Sequence, residues 1–274
     1  MSASLSASTS AVQRWAFGVE YDGSDYVGWQ WQKDGRSVQA EVERALGFVA
    51  GHAVTLQCAG RTDAGVHATG QVIHLDTGSV RNERNWLLGG NARLPADIAL
   101  QWARLVPMTF HARFAAQGRK YRYLIANQPI RPAIQASGLA WWRYELDAER
   151  MHDAAQGFVG THDFSSLRAA ACQAKSAIKT VHSIRVTREG RFVILDVHAN
   201  AFLHHMVRNI AGVLLPIGQG KRNRDWVADV LQARDRRASG ITAPAGGLYL
   251  VGVDYDPAFG LPNPRPVTTA RTLP

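Results

Sequence analysis

The sequence predicts an α+β protein with mixed, largely antiparallel sheets. Three observations carry that expectation. Residues 14–21 and 119–126 alternate with the two-residue period of strands, residues 184–197 read as a hairpin around Glu189-Gly190, and helical stretches stand singly among the strands.

Taken in order, the first strand at 14–21 sets Trp15, Phe17, Val19 and Tyr21 on one face. A polar loop at 22–25 leads to the aromatic cluster Tyr26, Trp29 and Trp31. Ser37 is placed to cap a helix running to about Gly51, because Val38, Val42, Ala45, Leu46 and Val49 form one stripe at helical spacing. Residues 55–59 and 70–75 read as strands around a glycine-containing turn, and 98–106 is a further strand stopped by Pro107. On the strand at 119–126, Tyr121 and Tyr123 share a face opposite Arg122. Helices are expected near 148–159, 203–215 and 224–237, and a closing strand at 248–255.

At roughly 150 residues per domain, 274 residues suggest two. The expected division is a disordered extension at 1–13, an N-terminal α+β domain at 14–109, a C-terminal α+β domain at 110–256 and a disordered tail at 257–274. The tail is set apart by composition, since it holds five of the eleven prolines.

Hydrophobic residues at 46% and charged residues at 19% describe a folded chain that needs no staples. Two cysteines, Cys58 and Cys172, are too few for a disulfide framework or a four-thiolate metal centre. The longest apolar run, 210–217, is far short of the roughly 20 residues of a membrane span, and residues 1–12 lack a secretory signal's basic start. A cytoplasmic setting is expected. The formal charge is +9, and among 31 basic residues 26 are arginines, whose planar fork suits phosphates and base edges. Biased genomic composition is the plainer source of that excess.

Three segments are candidates for chemistry. Residues 59–68, Ala-Gly-Arg-Thr-Asp-Ala-Gly-Val-His-Ala, place one cation, one hydroxyl and one carboxylate between two glycines, so Asp63 can face a cleft with Arg61 beside it. The plainer reading is a loop in which Asp63 bonds its own backbone. Residues 118–123 interleave Arg119, Lys120 and Arg122 with Tyr121 and Tyr123, which suits phosphate contact plus base stacking but also fits an ordinary amphipathic strand. In residues 200–209, His204 and His205 would point about 100° apart on a helix and so suit a shared metal ion poorly. Arg208, opening an apolar run, needs a carboxylate partner, and Asp63 is available. Phosphate-cradling and dinucleotide glycine motifs are absent from the sequence. The residues alone thus point to a nucleic-acid-binding protein with one exposed Asp placed for catalysis.

These segments, with their companions, resemble the tRNA pseudouridine synthase A family. The companions occur in order: Tyr21-Asp22-Gly23, Gly28-Trp29-Gln30, Ser37-Val38-Gln39, 94–98, 110–114, 160–164, Cys172-Gln173, 202–209, Ala243-Pro244-Ala245 and Gly247-Leu248-Tyr249. Leu167 and Ala171 depart from the pattern, standing where an aromatic and a glycine are expected. The resemblance spans about residues 15–256. It implies two α+β domains joined across a central cleft, a homodimer, and isomerisation of uridines 38, 39 and 40 in the anticodon arm of tRNA without cofactor or metal. It implies further that Asp63 is the nucleophile, Tyr121 lies against the base, Arg208 pairs with Asp63, Arg61 holds the flipped nucleotide or its phosphate, and Leu248 walls the uracil. Two other readings stand beside it: a tRNA-binding protein without activity, and a pyrimidine C5 methyltransferase attacking through Cys58 or Cys172.

Overall fold

The computed structural model describes residues 11–170 and 172–262. The expected disorder of residues 1–10 and 263–274 lies outside these residues, as does Ala171. In chain order the elements are β1 (Gln13–Tyr21), α1 (Val38–Ala50), β2 (Gln57–Cys58), β3 (His67–Thr77), α2 (Glu83–Asn91), β4 (Ile98–Val106), β5 (Gly118–Asn127), β6 (Ala140–Trp142), α3 (Ala148–Ala155), β7 (Gly160–Asp163), β8 (Ile178–Glu189), β9 (Phe192–Ala199), α4 (Met206–Gly218), α5 (Trp226–Ala233) and β10 (Leu248–Asp254).

Among the described residues ten strands form one mostly antiparallel sheet in the order β4-β1-β3-β10-β5-β9-β8-β7, with β2 added to β3 and β6 to β5. The arrangement is α+β, as the alternating segments require. Strands from the first half of the chain occupy one end of the sheet and those from the second half the other. They meet where β3 pairs in parallel with β10, Tyr249 opposite His67 and Leu250 opposite Ala68. The expected boundary at 109–110 falls between β4 and β5. One continuous apolar core runs beneath both halves, from Phe17 and Trp86 to Phe158 and Ile210.

Local chemistry accounts for the elements that position the site. Ser37 accepts from the Ala40 N–H to start α1, and Gly51 ends the helix in the left-handed conformation (φ 76°). The apolar stripe of α1 is buried as its spacing predicts. Facing strands then set the register: Leu248 lies opposite Tyr123 and Leu250 opposite Tyr121, so these four side chains share a face.

The structure differs from expectation at several places. α2 is capped by Asn82 and Asn85, whose side chains bond each other's backbone N–H. The strand expected at 55–59 shrinks to two residues, whereas β3 begins at His67 rather than at residue 70. α4 begins at Met206 rather than at residue 203 because His205 is left-handed (φ 63°), and it runs through Pro216 to Gly218. The proline-rich segment also contributes to the fold where it is described: Pro257–Phe259 is a short 3-10 turn, and the Phe259 ring packs edge-on 5.1 Å from Phe110.

Candidate active site

Asp63 sits on the turn that leads into β3, and the backbone holds that turn from several sides. The Trp29 N–H donates to the Thr62 carbonyl (3.0 Å), the Val66 N–H to the Asp63 carbonyl (3.1 Å) and the Gly65 N–H to the Tyr26 carbonyl (3.3 Å). The Thr62 hydroxyl is buried against the Tyr21 hydroxyl at 2.8 Å. Gln71, fully buried, donates to the Gly60 carbonyl at 2.6 Å. Gly28 runs alongside as a bridge partner of Asp63, and a Cβ there would stand 2.7 Å from the Thr62 carbonyl oxygen at φ +114°. Only glycine fits that approach.

His67, four residues beyond Asp63, ties the turn to the other half of the chain. Its Nδ1 accepts from the Gly23 N–H (3.1 Å), which leaves Nε2 to donate to the Gly246 carbonyl (2.9 Å). The ring stacks on Tyr249 with centroids 4.6 Å apart. His67 lies within the 59–68 motif, and no role for it follows from the motif alone. The local signal for it is that a histidine flanked by small and apolar residues at the start of a strand is buried, and a buried imidazole needs two partners.

From the second half comes the cationic side. The Arg208 Nη1 lies 3.5 Å from Asp63 Oδ2, and Arg208 Nε donates to the Ala243 carbonyl at 2.8 Å. A negative carboxylate therefore faces a permanent cation that the backbone keeps in place. His204 Nε2 lies 3.2 Å from Asp63 Oδ1, and His205 Nε2 lies 3.4 Å from Oδ2. The expectation that these histidines diverge on a helix is thereby corrected. Both precede α4, and the left-handed turn at His205 brings their rings to 4.0 Å, both reaching Asp63. Burial, only partly offset by the Asp63 charge, holds His205 below the usual imidazole range.

Tyr121 is buried beneath the same turn. Its hydroxyl would lie 3.7 Å from a Cβ placed on Gly60, and its ring meets Phe202 edge-on at 4.9 Å. Burial first, and the charge of Asp63 second, raise its phenol far above the ordinary tyrosine value, so it stays protonated. Leu248 is buried at the start of β10 beside Tyr123, whose hydroxyl donates to the Pro244 carbonyl. Arg61 is exposed, and among the described residues it has no hydrogen bond or ion pair.

The other cations of residues 118–123 are engaged within the protein. Arg119 donates to the carbonyls of Ala59, Arg113 and Asn200, Lys120 pairs with Asp254, and Arg122 with Asp196. That strand is amphipathic for structural reasons on its basic side, while its tyrosine face borders the site. Desolvation pushes the Cys58 thiol up to about 11, which opposes the thiolate that a C5 methyltransferase reading requires.

A family model described as tRNA pseudouridine synthase matches residues 18–115 and 154–256. The chain belongs to that family. The tRNA pseudouridine synthase A of Pseudomonas aeruginosa is 55% identical over 262 residues, 95% of this chain and 92% of the relative. Those of Aeromonas hydrophila and Salmonella typhimurium are 55% and 52% identical, covering 91% and 93% of this chain and 93% and 95% of the relatives. Among solved structures, a Cbf5-Nop10-Gar1 complex aligns with TM-score 0.34 at 11% identity, over 86% of this chain and 57% of that one. No helix among the described residues is long and apolar enough to cross a membrane.

Proposed function

We propose that this protein is an isomerase that converts uridine to pseudouridine in tRNA, acting at positions 38, 39 and 40 of the anticodon arm, with Asp63 as the nucleophile. In the reaction the N1–C1′ bond breaks, the uracil turns, a C5–C1′ bond forms, and the C5 proton is lost while N1 gains one. Atoms and electrons balance within the substrate, so no redox or energy-carrying partner enters. Attack at C1′, attack at C6 and removal of the 2′ proton all begin from the same ionised carboxylate.

The observation that carries this reading is the gathering of Arg208, His204 and His205 around Asp63 from an element more than 140 residues away. Arg208 orients the carboxylate and balances its charge. Tyr121 offers its ring edge and a protonated hydroxyl to a uracil held over Gly60, with Leu248 as an apolar wall. Arg61, exposed beside the turn, takes a phosphate of the flipped nucleotide, whose unstacking costs a few kcal/mol. The net charge of +9 supports binding of a polyanion along the surface. We read residues 14–109 and 110–256 as two domains that close on the nucleotide from either side of the β3–β10 junction. We read the working form as a cytoplasmic homodimer across which one tRNA lies.

The test is incubation of wild type and Asp63→Asn with unmodified tRNA under chelator and without cofactor. Pseudouridine is mapped by a chemical label that stops reverse transcription. Wild type should modify positions 38–40, and the variant should lose on the order of 10⁴-fold or more in rate while keeping tRNA affinity. Product from the variant at the wild-type rate would remove Asp63 from the chemistry. A folded, tRNA-binding wild type that yields no product would leave a binding protein.

A further inference from the structure

The left-handed turn at His205 leaves two imidazole nitrogens facing one carboxylate. Asp63, His204 and His205 each offer a donor atom, and these atoms all lie within 4.8 Å of one another. A tetrahedral zinc ion with bonds of about 2.0–2.1 Å has neighbouring ligands about 3.3 Å apart. His204 Nε2 stands 3.2 Å from Asp63 Oδ1 and His205 Nε2 3.4 Å from Oδ2, so the imidazoles face different oxygens of the carboxylate, and a rotation of that carboxylate brings one oxygen to an ion shared with both rings. Two imidazoles and one carboxylate suit Zn²⁺, Ni²⁺ or Cu²⁺ better than the hard cations Mg²⁺ and Ca²⁺. The side chains keep between 22% and 36% of their surface exposed, so a hydrated ion can reach them and retain water in its remaining position.

We propose that Asp63, His204 and His205 form an inhibitory site for a divalent transition-metal ion, represented by Zn²⁺. This rests on Asp63 being the reacting carboxylate, since an ion bound there withdraws the carboxylate from uridine. Metal and target nucleotide therefore exclude each other. Arg208 sets the limit on affinity. Its guanidinium lies 3.5 Å from Asp63 Oδ2 and repels a second cation, so the ion binds more weakly than in a dedicated structural centre and leaves on chelation.

Chelator-stripped full-length protein is titrated with Co²⁺, read by its visible absorption, and with Zn²⁺, read by calorimetry, both without RNA. One equivalent should bind, with the intense Co²⁺ bands of four-coordinate geometry. His204→Ala and His205→Ala should each weaken binding by at least the ~10–100-fold that follows loss of a partner behind a metal ligand. His182→Ala serves as the control, because His182 and His198 form a second histidine pair, 4.8 Å apart, on another part of the sheet. Its affinity should equal that of wild type. Zn²⁺ should inhibit pseudouridine formation competitively with tRNA, and EDTA should restore it. Absence of the Co²⁺ bands, or affinity unchanged in both His204→Ala and His205→Ala, overturns the proposal. If the ion binds as described while Asp63→Asn still isomerises uridine, the metal site stands and the catalytic reading of Asp63 falls.

Discussion

The two sides of the Asp63 site are built by different means. On the first side the main chain does the positioning: Thr62 and Asp63 lie in a turn held by the backbone of Tyr26, Trp29 and Val66, with Gly28 pressed against it. On the second side the groups hang from side-chain contacts and one strained residue. Arg208 is anchored by its own Nε to the Ala243 carbonyl, and the two histidines depend on the left-handed conformation of His205. The Asp63 carboxylate is thus fixed to the sheet, while its partners are delivered by a loop and the first turn of a helix. Under the proposed reaction, a carboxylate that must meet one sugar or base carbon gains from a rigid seat, whereas partners that receive a large RNA gain from some latitude.

Three substitutions break or sharpen that contrast. The largest effect is expected from Gly28→Ala, which combines a forbidding φ with a Cβ 2.7 Å from a backbone oxygen. It should cost about 3 kcal/mol of stability and lower kcat as the turn shifts, read by urea denaturation alongside the isomerase assay. Wild-type stability in this variant would mean that the first side is not held by the backbone. Arg208→Lys comes next. The charge remains but the Nε contact to Ala243 and the planar fork are gone, so kcat should fall about 10²-fold with little change in KM. Equal loss in both constants would make Arg208 a contact for RNA rather than for the carboxylate. The smallest effect is expected from His205→Gly, which relieves the left-handed strain. Thermal and chemical unfolding should show a gain of about 0.5–1 kcal/mol while activity declines. A loss of stability would show that the imidazole contributes more packing than the strain removes.

Much of the fold was legible because its signals are local. The Ser37 cap, the α1 stripe, the tyrosine face of β5 and the β8–β9 hairpin are each written within one short stretch of chain. α2 was not, since its Asn–Asn cap is a weak signal and Gly89-Gly90 dilutes its helical pattern. β6 and β7 span three and four residues, too few to show a period. The start of α4 was misplaced because Leu203 continues the apolar spacing, and no local pattern announces a positive φ at a histidine. The same error hid the convergence of His204 and His205.

By itself the sequence determined the α+β class, the glycine-flanked turn that carries Asp63, and the aromatic face beneath it, all consequences of spacing and backbone freedom within short windows. The tertiary structure decided which distant groups meet that carboxylate. Pairing β3 with β10 places the turn beside the segment at 243–247, where Ala243 holds Arg208 and Gly246 accepts from His67. These contacts join residues separated by 35 to 179 positions, and their partners are selected by strand register and core packing across the whole sheet.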